Sequence, residues 1–321
     1  MIKKITIVFF KIFLSIALFI GLQQLIELKT RGFCLQKIQA DDLVNQEEWK
    51  TPLLSCAEEL QIKTLLSQPY YLIGSGSECF AFKSEDGKAV IKFFKLDQMR
   101  PVYLNKGIFA EDHSAFAGTL SNHLLIQWTL PNPFQYWLKR FLGIREFRIQ
   151  RTFNSIKLAY NELKEETGLL YLHLNSTDYL HQILTLCDGN GIRHEIDLDS
   201  ARFYLQKSVI PFERHLTRLH KENKLNEAKA SIDSLLELIL IRCKKGFADR
   251  DVFPKNFGFI NNQAIEIDTG SFHKDSQMQK ESAYKKELFY ASLELKRWLK
   301  KNYPELVSYL ETIVSEEICL N

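Results

Sequence analysis

Two short stretches constrain this chain more than anything else in it: Asp249-Arg250-Asp251-Val252-Phe253-Pro254-Lys255-Asn256 and, downstream, Ile267-Asp268-Thr269-Gly270. The first sets an acid, Asp251, five positions before an amide, Asn256. The second ends a short apolar strand on another acid and a turn-forming glycine. Phosphoryl transfer from a nucleotide needs this set of groups: one carboxylate orients the attacking hydroxyl, and an amide with a second carboxylate holds magnesium. Each segment alone reads equally well as an ordinary polar loop. Their order and separation give the pair its meaning.

A chain with that chemistry must also supply a cover for the phosphates and a cation. Tyr70-Tyr71-Leu72-Ile73 reads as a strand, and Gly74-Ser75-Gly76-Ser77-Glu78-Cys79 follows it. Glycines at the first and third places let backbone approach phosphates without Cβ interference. Asp86-Gly87 predicts a hairpin turn. Lys88-Ala89-Val90-Ile91-Lys92-Phe93-Phe94 is then a β-rich run with Lys92 enclosed by apolar residues, where an ammonium is expensive without an anionic partner. A lone lysine there would read as an edge residue pointing to water. Strand, glycine-rich turn, strand, turn and lysine strand in this order favour phosphate binding.

With these motifs in place the chain resembles a divergent member of the protein-kinase-like superfamily. Gly74 and Gly76 match the first two glycines of the family's nucleotide loop, and Lys92 matches the lysine that holds the α and β phosphates. Asp251 and Asn256 match the catalytic-loop acid and amide, with Arg250 kept between Asp249 and Asp251. Asp268-Thr269-Gly270 matches the metal-binding motif. The resemblance spans roughly Tyr70 to Gly270. It implies an α+β, two-lobed fold, with an antiparallel sheet lobe, a helical lobe and ATP with magnesium bound between them. In that scheme Lys92 holds phosphates, Asp251 and Arg250 serve the catalytic loop, and Asn256 and Asp268 hold metal.

The departures narrow the class. Cys79 replaces the third glycine, Asp249 stands where a histidine is usual, and Thr269 replaces the metal motif's phenylalanine. No Ala-Pro-Glu element follows Gly270, and the chain reads as helix again by Tyr284, leaving little room for a peptide-docking segment. These features point to the bacterial small-molecule, sugar and lipid kinases of the superfamily. A glutamate that pairs with Lys92 is still required. Ile156, Ala159, Tyr160 and Leu163 give a helical face, beside which Glu162 is the chosen candidate and Glu146 the runner-up. Each also reads as a solvated helix glutamate.

Elsewhere the pattern predicts strands over Leu169–Leu174, His181–Cys187 and Arg202–Lys207, the last leading to the inter-lobe hinge near Ser208 and Val209. Ile232, Leu235, Leu236, Ile239, Leu240 and Cys243 form one face of a helix stopped by Gly246. Leu288, Ala291, Leu295, Trp298 and Leu299 form another. The expected divisions are 1–28 as an N-terminal anchor or signal-like segment, 29–69 as a lead-in, 70–207 as the nucleotide-binding lobe with an insertion, and 208–321 as the helical lobe.

A net charge of +3 on 321 residues is too small to argue for nucleic acid. Six scattered cysteines with no Cys-x-x-Cys pair argue against zinc and suggest reduced thiols. The N-terminus differs in kind: Lys3-Lys4 precedes an apolar run from Ile5 to Leu22, a marginal bilayer span. A signal peptide is the competing reading, though Gln23-Gln24-Leu25 makes a poor cleavage site. Lys29 and Arg31 balance Lys3 and Lys4, so charge does not orient the span; the free thiols favour the cytoplasmic face. The stretch Pro131–Leu142, with basic residues continuing to Arg151, reads either as an interfacial helix or as a helix packed on the small lobe. The expectation is a membrane-anchored, ATP- and magnesium-dependent kinase acting on a hydroxyl of a small-molecule, glycan or lipid acceptor. The alternatives are a pseudokinase scaffold and a non-kinase transferase on the same fold.

Overall fold

The computed structural model describes residues 2–39, 45–51, 54–96, 146–249 and 254–319. Arg250 and Asp251 therefore lie outside the described residues, as does the Pro131–Leu142 stretch. The chain opens with α1 (Ile2–Thr30), within which Phe13–Thr30 is long and apolar enough to cross a membrane. A helix α2 (Cys56–Leu66) follows, started by a reciprocal capping box between Ser55 and Glu58. Then come β1 (Tyr70–Ser75), β2 (Cys79–Ser84) and β3 (Ala89–Phe94). Next are α3 (Glu146–Glu162), α4 (Lys164–Thr167), β4 (Leu169–His173), β5 (Ile183–Cys187), β6 (Arg193–Asp197) and β7 (Phe203–Lys207). The C-terminal part holds β8 (Ile210–Pro211), α5 (Phe212–Lys221), α6 (Leu225–Lys244), β9 (Phe247–Ala248), β10 (Phe257–Ile260), β11 (Gln263–Glu266), β12 (His273–Lys274), α7 (Glu281–Asn302) and α8 (Val307–Cys319).

The fold is mixed α and β. Seven strands form one sheet in the order β4-β7-β3-β2-β1-β5-β6. Every pairing is antiparallel except β1 with β5. Alternation along β3 sorts the two faces. Ile91 and Phe93 bury on one side with Phe33, Phe80, Phe82 and Phe203. Period-2 geometry then sends Lys92 to the other side, where α3 packs Phe153, Ile156 and Leu163 against Phe94, Leu172 and Tyr204. A third core joins α5, α6, α7 and α8 around Phe212, Ile232, Ile239, Leu288 and Leu299.

Most sequence-predicted elements appear with shifted ends. The helix carrying Ile232 and Cys243 is α6, and Gly246 stops it at φ +83°, a conformation that L side chains rarely adopt. Leu163, at φ −128° and ψ 32°, interrupts the expected continuous helix after Glu162 and separates α3 from α4, which Gly168 then ends in the left-handed region.

Candidate functional site

β3 places Lys92 between Ala81 of β2 and Tyr204 of β7. Its ammonium lies 5.3 Å from the Tyr204 ring centroid and donates to the Ile267 carbonyl oxygen at 2.6 Å. Ile267 in turn donates its N–H to the Asn256 carbonyl oxygen at 2.7 Å and precedes Asp268 in sequence. Lys92, Asn256 and Asp268, far apart in sequence, thus meet at one residue. Burial pulls the Lys92 pKa down, while the Asp268 charge and the Cys79 thiol oppose that shift. The Cys79 thiol is pushed up by its own burial, and Tyr204, which is buried, is held neutral by desolvation.

The β1–β2 turn covers this node. Gly76 N–H donates to the Cys79 carbonyl at 2.9 Å, closing the turn. Lys95, at the end of β3, clamps it by donating to Ser75 Oγ at 2.8 Å and to the Gly76 carbonyl at 2.6 Å. Glu78, at the tip, accepts from Thr152 Oγ1 of α3 at 3.0 Å. A Cβ on Gly270 would come within 3.0 Å of Glu78 Oε2, so the turn reaches the Asp268-Thr269-Gly270 segment. At Gly74 and Gly76 an added Cβ would meet only ordinary contacts of 3.8–3.9 Å. The protein's own packing does not require glycine there, which leaves backbone open to something arriving from outside.

Among the described side chains, helix α3 meets the site through hydroxyls. Ser155 Oγ donates to the Thr269 carbonyl at 2.6 Å. Glu162 is not brought to Lys92: it sits exposed in the last turn of α3 and pairs with Lys274 at 2.5 Å. The reason is helical phase. The buried stripe Phe153, Ile156, Ala159, Tyr160 and Leu163 faces the sheet, and on that helix Glu162 turns towards β12. The side chain of Glu146 lies outside the described residues.

Behind the node is a buried ionic cluster that sequence reading missed. Arg242 of α6 reaches Glu266 of β11 at 2.5 Å, Glu287 of α7 at 2.9 Å and Asp249 at 3.5 Å. Asp249 also accepts from Ser271 Oγ. Arg242 and Glu266 are buried, and Glu287 is largely covered. Burial pushes the Glu266 carboxyl up to about 8, against the pull of Arg242 and with the help of Asp249. Glu287 is raised for the same first reason. Burial disfavours the Arg242 cation, yet Glu266 and Asp249 more than offset this and hold its pKa up. The one cation ties the approach to Arg250 and Asp251 (through Asp249) to the Asp268 turn (through Glu266 and Ser271). The signal for it was Arg242 beside Leu235, Ile239 and Cys243 on the apolar face of α6 and Glu266 closing a buried strand.

Asp268 is exposed, with Oδ1 accepting the Gly270 N–H at 3.3 Å, whereas Asn256 is buried. A carboxylate and an amide oxygen are hard donors that suit magnesium, which takes few protein ligands and completes its shell with water and phosphate. Among the described residues no group of three or more His, Cys, Asp or Glu side chains forms a metal cluster. A site of this kind does not need one.

No family model and no curated protein matches the chain. Among solved structures it is similar to the Rv3197–erythromycin complex from Mycobacterium tuberculosis, at 12% identity and a TM-score of 0.34. The match covers 81% of this chain and 60% of that one, so the chain spans about 60% of that protein's length. A likeness of that degree carries no functional argument.

Proposed function

We propose that the chain is an ATP- and magnesium-dependent phosphotransferase of the two-lobed protein-kinase-like type, acting at a membrane on a hydroxyl of a sugar, lipid or other small acceptor. The observation that carries this reading is the convergence of Lys92 and Asn256 on Ile267, next to Asp268. The β1–β2 turn bearing Gly74 and Gly76 closes over the same place. The antiparallel order β4-β7-β3-β2-β1 supports the sheet lobe of that fold, and the core built from α5 to α8 supports the helical one.

In this reading Lys92 exchanges the Ile267 carbonyl for nucleotide phosphate oxygens, a stronger partner for a desolvated ammonium. Asn256 and Asp268 hold magnesium, which would neutralise charge between the phosphates. Asp251 accepts the proton of the acceptor hydroxyl. The experiment is a thermal-shift titration of the protein with ATP, with and without magnesium. Binding should stabilise by about 2.7 kcal/mol at a hundredfold excess over the dissociation constant, and Lys92→Ala should remove most of the shift.

A second reading, a pseudokinase scaffold, draws on Glu78. Its carboxylate sits on the turn that would cover phosphates and already bonds Thr152; an acid there opposes anion binding. Nucleotide binding without turnover, equal in wild type and Asp251→Asn, would favour it.

A further inference from the structure

Helix α1 does not lead into the sheet through a loose tether. Arg31 and Gly32 end it with two consecutive left-handed residues, at φ +52° and +72°. Gly32 N–H donates back to the Glu27 carbonyl at 3.0 Å, satisfying one of the helix's last acceptors. Lys37 Nζ then donates to the Gly32 carbonyl at 2.7 Å. Phe33 follows at once into the sheet core, with ring centroids 5.3 Å from Phe80, 5.0 Å from Phe82 and 5.4 Å from His194. On the other flank, a Cβ at Gly189 in the β5–β6 hairpin would lie 1.8 Å from the Lys29 carbonyl oxygen. Only glycine fits that approach of backbone to backbone. Thr30 is already buried.

The helix end therefore has a fixed place, and that place is beside the candidate site. Arg31 Nη1 would lie 3.9 Å from a Cβ at Gly74, at the start of the β1–β2 turn. Lys29 and Arg31 are both exposed, and neither has an ion-pair partner among the described residues. The side chains below them, from Phe13 through Leu28, are exposed and mostly apolar; Glu27 is the acid among them.

Length places these groups relative to a bilayer. The 29 residues of α1 span roughly 43 Å at about 1.5 Å per residue, and a bilayer with its headgroups is about 40–45 Å thick. The apolar window Phe13–Thr30 covers 18 residues, roughly 27 Å, against a hydrocarbon core of about 30 Å. Both measures bring Arg31 to the polar boundary. Juxtamembrane Lys and Arg near an anionic leaflet gain about 1 kcal/mol each.

We propose that the surface formed by the end of α1, the β5–β6 hairpin and the Gly74–Glu78 turn lies against the headgroups of an anionic bilayer, with Lys29 and Arg31 on lipid phosphates. The mouth of the candidate site then opens at the membrane surface. This rests on the reading of α1 as a membrane segment and is independent of whether phosphate is transferred.

The test uses the full chain in vesicles of phosphatidylcholine with phosphatidylglycerol, carrying a quencher on the headgroup. A fluorescent amino acid is placed at Leu28 in one preparation and at Ser77 in another; both positions are exposed. The expected result is quenching at both. Quenching at Leu28 with none at Ser77 overturns the docked surface while leaving the anchor intact. Quenching at neither shows that α1 does not engage the membrane, and the membrane reading fails with the proposal. Replacing Lys29 and Arg31 together by Glu should abolish quenching at Ser77 and preserve it at Leu28. Unchanged quenching at Ser77 would overturn the role given to the two cations.

Discussion

Two polar assemblies sit back to back in this molecule and are built on opposite terms. The Lys92–Ile267–Asn256 node borders solvent at Asp268, and among the described residues its ammonium has a neutral carbonyl as its hydrogen-bond partner. The Arg242 cluster is largely buried, with one guanidinium among three acidic side chains. A buried charge without a full partner is costly, so the first arrangement makes physical sense where a ligand completes it. The second already pairs its cation with acids from three other segments. Buried charges of this kind fix geometry rather than bind. Under the proposed function the first assembly is the one that carries chemistry and the second the one that positions it.

The sharpest way to break the contrast is to remove the cation of the buried cluster. Arg242→Ala strands Asp249, Glu266 and Glu287 and should cost about 3–5 kcal/mol, the usual penalty for splitting a buried pair, measured by denaturant unfolding. Glu266→Gln should cost far less at pH 7, because burial holds that carboxyl protonated up to about 8 and a neutral amide imitates the acid form. Comparable losses in the two variants would mean that Glu266 is ionised and that the cluster is an ordinary salt bridge.

A middle-sized effect comes from two buried histidines away from both assemblies. Burial lowers His173 and His215 from 6.5 to about 4, so each stays neutral in the folded state while the unfolded chain takes up a proton below 6.5. Stability should therefore fall as pH drops from 6.5 towards 4, by at most about 1.4 kcal/mol per pKa unit of separation for each group. His173 holds the Ala201 carbonyl at 2.7 Å and Thr177 Oγ1 at 2.9 Å. His173→Gln should flatten the acid limb of the melting curve; an unchanged limb would remove His173 from the account.

At the open node the expected stability effects are small. Asp268→Asn alters an exposed group and should change unfolding free energy by no more than about 0.5 kcal/mol, yet abolish any magnesium-dependent shift with ATP. Of the same small order is Glu162→Ala, which breaks an exposed pair with Lys274 worth about 0–1 kcal/mol and should leave nucleotide affinity as it was. A loss of affinity there would restore Glu162 as the partner of Lys92.

What could be read from sequence divides along the same line. The node was legible because its residues lie in short motifs with local order: Lys92 inside a β-rich run, Asp268 after an apolar strand, glycines at Gly74 and Gly76. The strands were legible through alternation and turn residues, and α6 through its apolar stripe and Gly246. The Arg242 cluster was not, since its four members sit on separate elements and are joined only by packing. Glu162 failed for a related reason. A helical pattern shows which face is buried, but not which neighbour the edge of that face meets, and here the edge meets Lys274 while Thr152 and Ser155 meet the site. Lys95 was passed over because its partners are a carbonyl and a hydroxyl of the β1–β2 turn, a contact set by the hairpin's closure and not by residue type.

The central claim, that the open node transfers phosphate, is tested most directly by following γ-phosphate label from ATP with magnesium into lipid, glycan and protein fractions. Wild type and Asp251→Asn should be compared after both are shown to bind ATP equally. The account predicts label in a lipid or glycan fraction with wild type and a loss by orders of magnitude with Asp251→Asn, since that carboxylate acts on the acceptor only near the transition state. Equal labelling by the two proteins, or ATP binding with no transfer by either, would contradict it.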